Sequence, residues 1–457
     1  MSRPPRSREH RPPDPDDARE AALAILCAAD SSPAAAERER SRAFARAGLD
    51  SRSRRFVTTL VQTTHRWRGR ADRVLDTRLE RGLSSLDPCT RNILRLAYVQ
   101  LFHLDAIPAY AVVDTAVELT RRHEGSGKAR LVNGILRGLS KRPPSPREWG
   151  AGPGARALEG ELSHPAWLLE RWIARWGMEE TRRICAWNNE PARIHLRVSG
   201  GAQAAGEIAR ALQGPEREVQ PGAILEEALR VQGAFDPVHE PMVHAGQVTV
   251  QDESQMLVGR LWPDARARAF DLCASPGTKA SHLAEQSGGA PVFASDVRLS
   301  RARLVASTSR RMRQPHLHAL VADGRRPPYR NASAERVLLD APCTSLGVLQ
   351  RRPDARWLRG PEAIAGAARL QAQLLDAAAA LVAPGKWLLY SVCTLEPEET
   401  DAMMERFRTR HPEFAAHELP GWVPEKIRAG AGIMRILPGV LGMEGVYAAL
   451  MRNEAAA

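Results

Sequence analysis

The chain has 457 residues, 65 Lys plus Arg against 53 Asp plus Glu, a formal charge of +12 and 43% hydrophobic residues. That length suggests about three domains, and the balance of apolar and charged residues excludes fibrous, collagenous and wholly disordered classes. With no run of ~18 apolar residues and no apolar leader segment, neither a membrane span nor an export address is expected, and the expected location is the cytoplasm.

Residues 1–17 combine five prolines with four charges of each sign and are expected to be a disordered tail. From 18 to 142, segments such as AREAALAILCAAD, TRNILRLAYVQLFHL and ARLVNGILRGLSK space apolar residues by three and four, which predicts an all-helical bundle. The Pro- and Gly-rich KRPPSPREWGAGPGAR predicts a linker, taken as 143–162. Residues 163–245 read as a small α+β module that opens on a helix bearing Trp167, Trp172, Trp176 and Trp187, aromatics at a spacing that suits packing. The catalytic domain is expected over 246–457. There AFDLC, PVFAS, LHALVA, RVLLD and WLLYSV alternate with helical runs, the signature of a parallel, doubly wound α/β sheet.

In that fold ligands sit at the carboxyl ends of strands, so the residues following each strand are the candidates for chemistry. Asp271-Leu-Cys-Ala-Ser-Pro-Gly-Thr-Lys279 runs from the first strand into a helix and carries one glycine, so the dinucleotide fingerprint is missing. Asp296 follows the second strand, where an acid commonly holds ribose hydroxyls, although a helix N-cap would use the same residue. Asp323 and Asp340 close the third and fourth. Acids repeated at one topological level suit a nucleoside ligand without a polyphosphate. Six cysteines form no C-x-x-C pair and no zinc spacing, so no metal is expected. Two of them, Cys343 in DAPCTSLG and Cys393 in YSVCTLEPEE, end neighbouring predicted strands, where a thiolate could act as a nucleophile. Lysine is scarce, five against sixty arginines, which gives Lys279 weight as a motif residue. A thiolate added to C6 of a pyrimidine makes C5 able to accept a methyl group from a sulfonium donor. The residues alone do not rank the two thiols.

DLCASPGTKASHL, Asp296, Asp323, LLDAPCTSLGVLQRRPD and YSVCTLEPEE together resemble the motif series of the RNA 5-methylcytosine methyltransferases. The helical region is similar to the NusB-like RNA-binding domain of the bacterial 16S rRNA enzymes called Sun, Fmu or RsmB. The resemblance implies a class I, Rossmann-like S-adenosylmethionine fold with a seven-stranded mixed sheet. It places Cys273, Ala274, Ser275, Pro276, Gly277, Thr278 and Lys279 around the methionine end of the donor, Asp296 on the ribose, Asp323 by the adenine, and Asp340 facing donor and cytosine. It makes Cys393 the nucleophile and Cys343 the helper in product release, with Asp340 and Lys279 in the catalytic set. Ser275 and Thr278 depart from the usual CAAPGGK loop, and a threonine at 278 would be strained if that position needs positive φ. Val392 stands where a threonine is common.

The implied partner is RNA, 16S rRNA above all, acted on by a monomer. Alternatives are a catalytically degenerate assembly factor, or a cytosine-5 methyltransferase acting on tRNA or DNA. Residues 298–359 hold fourteen arginines and four acids; within them Arg351 and Arg352, just after the DAPC loop, are the expected phosphate contacts.

Overall fold

The computed structural model describes residues 15–46, 49–105, 107–150 and 154–455. The chain packs as two compact units, one formed by 1–189 with 352–358, the other by 190–351 with 359–457. Among the described residues no helix is long and apolar enough to cross a membrane.

The first unit is helical: Pro15–Ala29, Pro33–Arg46, Ser51–Asp76, Pro88–Phe102, Ala109–Glu124 and Ser126–Lys141, followed by Pro146–Gly150, Gly154–Leu162 and Ala166–Asn189. Helix starts follow from local chemistry. Asp50 and Asp87 accept the backbone N–H groups of Ser53 and Thr90 at 2.7 and 2.8 Å, and Pro88 opens its helix where no N–H is needed. Leu60, Val74, Leu94 and Leu136 are completely buried in the shared core. Most of the expected tail, 1–14, lies outside the described residues, and Pro15 already begins a helix.

The expected linker over 143–162 contains two short helices, Pro146–Gly150 and Gly154–Leu162. Among the described residues Pro146 and Gly154 begin helices, Leu158 and Leu162 are buried, and Arg70 reaches the carbonyls of Gly160 and Glu161 at 3.3 and 2.5 Å. The helix after it belongs to this unit and breaks at Gly177, at φ 78°; Trp172 and Trp187 are buried, as a packing role requires. Residues 352–358 complete the unit. Arg356, fully buried, donates to Ser163 O at 2.9 Å, Asn189 Oδ1 at 2.8 Å and Asn188 O at 3.1 Å, and the Trp357 indole donates to His65 O at 2.6 Å.

The second unit holds two sheets. The smaller contains β1 (Ile194–Val198), β2 (Arg217–Pro221), β3 (Ala228–Gly233) and β4 (Val248–Val250), all antiparallel in the order β2-β3-β1-β4. Helix Gly201–Leu212 supplies Ala205, Ile208 and Leu212 to the core shared with Leu196, Leu229 and Val248. VTV, expected to begin the catalytic domain, is thus the fourth strand of the small sheet.

The larger sheet contains β5 (Ala269–Asp271), β6 (Val292–Asp296), β7 (Leu317–Val321), β8 (Ala334–Asp340), β9 (Val382–Val392), β10 (Phe414–Ala416), β11 (Ile433–Ile436) and β12 (Val446–Asn453). Its order is β10-β12-β9-β8-β5-β6-β7, with β11 on β12. Strands β5 to β9 are parallel, and β12 runs antiparallel to its neighbours. The sheet is therefore mixed, as the resemblance implied, with the short β11 beyond the expected seven. Strand order reverses between β5 and β8, which opens a crevice at their carboxyl ends.

Candidate active site

The loop after β5 is shaped by its one glycine. Gly277 adopts φ 101° and caps helix Thr278–Gln286; a Cβ there would lie 3.1 Å from Val305 Cα. Thr278 is the first helical residue and has no positive φ, so the strain considered for it does not arise. Ala274 N donates to Ser295 O at 2.9 Å, and Thr308 donates to Pro276 O at 2.9 Å, which pins the loop on both flanks. Cys273 is a partly buried thiol whose pKa is pushed up by burial and the surrounding acids, so it is a poor nucleophile.

The four acids are differentiated by their surroundings. Asp271 is fully buried, and burial, then the charge of Asp340, push its carboxyl up to about 8. Asp296 ends β6 and is buried; it accepts the Arg298 N–H at 3.1 Å, while the following helix takes Arg298 as its cap residue. Asp323 is clamped by the Arg325 side chain and backbone, which hold it down at about 2. Asp340 lies beside Ser391 in the β8–β9 register, accepts its hydroxyl at 2.6 Å and takes the Lys279 ammonium at 2.7 Å.

Beyond these acids stand the two cysteines. Cys343 Sγ and Cys393 Sγ are 3.2 Å apart and both are free thiols. The hydrogen bond between them lowers the pKa of Cys393, to which Lys279 adds, and the same bond pushes Cys343 up. Burial and the charge of Asp340 oppose the lowering at Cys393, so the sulfur–sulfur contact favours ionisation of Cys393 over Cys343. Ser345, which accepts from Cys393 at 3.7 Å, sits at φ 61°, a left-handed conformation that a non-glycine residue rarely holds. Gly347 N donates to Cys393 O at 3.0 Å, so the two cysteine loops are hydrogen-bonded to each other. All the residues expected at the site except the arginine pair thus meet at one edge of the sheet.

The arginine pair is otherwise engaged. Arg351 makes a bidentate ion pair with buried Glu444 and also faces Asp252, while Arg352 pairs with Asp354. With a buried carboxylate already on its guanidinium, Arg351 offers less charge to a phosphate than an unpaired arginine would. Residues not anticipated as part of the site are Ser391, Thr344, Thr394, Gln371 and Glu399. The threonine after each cysteine and the acid-rich EPEE after Cys393 are their visible signals. Among the described residues one group, Asp87, Cys89 and Glu124, has metal-ligand spacing, and it lies in the helical unit, where the Lys128 ammonium bridges its two carboxylates at 2.7 and 2.6 Å.

The loop and acids fit a nucleoside sulfonium donor: a glycine-shaped turn into a helix, a buried acid with one oxygen (Asp271 Oδ2) lacking a partner, and carboxylates at the ends of β6 and just past β7.

Comparison with known proteins agrees. Residues 258–452 match the family described as 16S rRNA methyltransferase RsmB/F, 16–141 the NusB family, and 164–238 the ferredoxin-like domain of RsmF/B-like methyltransferases. A Bacillus subtilis protein named "Probable ribosomal RNA small subunit methyltransferase B" is 31% identical over 89% of this chain and 92% of its own length. The ribosomal RNA small subunit methyltransferase B of Vibrio cholerae is 31% identical over 79% and 81%. The crystal structure of PH0851 superposes with a TM-score of 0.80 at 26% identity, covering 96% of this chain and 98% of that one. NSun6 from Pyrococcus horikoshii shares the fold, with a TM-score of 0.54 at 22% identity over 64% of this chain and 99% of that one.

Proposed function

Because the chain belongs to the RsmB/F family of 16S rRNA methyltransferases, we propose that it methylates C5 of a cytosine in 16S rRNA, as a monomer in the cytoplasm, through a covalent bond between Cys393 and C6 of the base. The observation that carries this reading is the thiol pair, Cys343 against Cys393 at 3.2 Å, beside the Lys279–Asp340 pair. Residues 273–279, Asp296, Asp323 and Asp340 would hold S-adenosylmethionine. Bound there, it supplies an electrophilic methyl group.

The chain's own residues do the rest. The Cys393 thiolate adds to C6, and the negative charge that develops on the ring is met by the proton that Lys279 and Asp340 share, with Ser391 holding Asp340 in place. C5 becomes nucleophilic and takes the methyl. After a base removes the C5 proton, the C6–S bond breaks and Cys393 leaves as thiolate, and the protonated Cys343 thiol beside it is placed to hydrogen-bond the departing sulfur. The target base must be unstacked from folded RNA to reach these groups, at a cost of a few kcal/mol.

Transfer of labelled methyl to 16S rRNA, with bisulfite mapping of the product, tests the reading. Cys393→Ala is expected to abolish transfer, and Cys343→Ala to accumulate a covalent RNA adduct. Wild-type rates with Cys393→Ala would refute the assignment, and a preference for tRNA or duplex DNA would reassign the substrate.

A further inference from the structure

Glu399 is completely buried, and none of the steps above uses it. A carboxylate is almost never fully buried unless its oxygens are satisfied. Here the donors come from both cysteine loops. Oε2 accepts the Thr344 backbone N–H at 3.0 Å and the Gln371 amide at 2.8 Å. Oε1 accepts the Thr344 hydroxyl and, at 3.2 Å, the Thr394 hydroxyl, and those two hydroxyls lie 2.9 Å apart. Thr344 directly follows Cys343, and Thr394 directly follows Cys393.

The flanks on the other side are held as well. Gln371 donates to Pro342 O at 2.9 Å, immediately before Cys343. The Tyr390 hydroxyl donates to the Glu399 carbonyl at 2.8 Å, three residues before Cys393. Every partner offers a proton, so the arrangement suits an acceptor-only carboxylate and does not suit an amide. A 3.2 Å contact between two sulfurs on separate loops needs such a frame, because misplacement by about 1 Å costs on the order of 100-fold in rate.

We propose that Glu399 is a positioning residue that ties the loops of Cys343 and Cys393 into one register, and so keeps the Cys343 thiol hydrogen-bonded to the Cys393 sulfur. This rests on the two-cysteine reading given above.

The test uses the full chain and two variants, Glu399→Gln and the milder Thr394→Val. Alkylation of Cys393 and Cys343 by iodoacetamide is followed against pH by peptide mass spectrometry, next to thermal melting and methyl-transfer kinetics. In the wild type Cys393 should react first, with a profile more acidic than that of a free thiol. Both variants should move that profile to higher pH and slow Cys393 about tenfold at pH 7, with kcat lowered on the order of 10- to 100-fold and KM for donor and RNA within about twofold. An unchanged Cys393 profile in both variants, with or without a lower melting temperature, would overturn the proposal and leave Glu399 a purely structural acid. The alkylation arm needs neither RNA nor donor. Failure of the wild type to make 5-methylcytosine therefore falls on the proposed function, and an unmoved profile falls on Glu399.

Discussion

At the scale of the residue, the site works by giving identical side chains different environments. Asp271 and Asp323 are both acids near strand ends, yet burial drives one up to about 8 while Arg325 holds the other at about 2. The raised group has a consequence for stability. Asp271 keeps its proton when folded and loses it readily when unfolded, so its contribution is full below about pH 4 and disappears as pH rises through about 8. Asp271→Asn should leave the melting temperature near pH 4 unchanged and raise it relative to wild type at pH 8 and above, a difference that calorimetry at the two pH values measures. Arg351 gives a second case. Its partner Glu444 is buried and already pushed up to about 7. Arg351→Met would strand that carboxylate, with an expected loss of about 3–5 kcal/mol at pH 8 that shrinks near pH 5, where Glu444 takes up a proton. Adding Glu444→Gln should restore most of the loss. Denaturant titration of the two variants checks both statements.

At the scale of the element, strand ends place the chemistry, and this much could be read from sequence. Asp271, Asp296, Asp340 and Cys393 each follow or close a short apolar run, and an apolar run bounded by a polar residue is a local signal. The frame behind them was not readable, because Glu399 takes its donors from segments near 344, 371 and 394, and no local pattern records a contact across such separations. The same holds for Arg351, whose setting depends on Glu444. Prolines misled in the stretch 143–162, where Pro146 begins a helix instead of breaking one. The close approach of the DAPC loop to the C-terminal region makes a test of its own. A Cβ on Gly347 would lie 2.9 Å from Gly445 O and 3.0 Å from Cys393 O. Gly347→Ala should therefore cost about 1–3 kcal/mol in stability and, by displacing the loop of the proposed nucleophile Cys393, on the order of 100-fold in kcat.

At the scale of the whole molecule, the excess positive charge extends beyond Arg351 and Arg352, each of which has an acidic partner. Arg298, Arg301, Arg303, Arg310 and Arg313 are exposed on or beside helix Leu299–Arg311. If RNA phosphates lie against them, Arg301→Ala, Arg303→Ala and Arg310→Ala combined should lower the slope of log affinity against log salt by up to about three, one per lost contact, with little change in folding. Fluorescence anisotropy with an rRNA fragment at several salt concentrations measures the slope.

The discontinuity of the helical unit also bears on the order in which the protein can be made. Asn189 leaves the ribosome 167 residues before Arg356, yet Ser163 O and Asn188 O wait for that guanidinium and His65 O for the Trp357 indole. During translation these carbonyls must therefore be hydrated by water, and a long loop must close before the late-arriving chain replaces that water. A fragment of residues 15–189 should melt below the same fragment supplied with a peptide spanning 350–360, and Arg356→Ala in that peptide should cancel the gain.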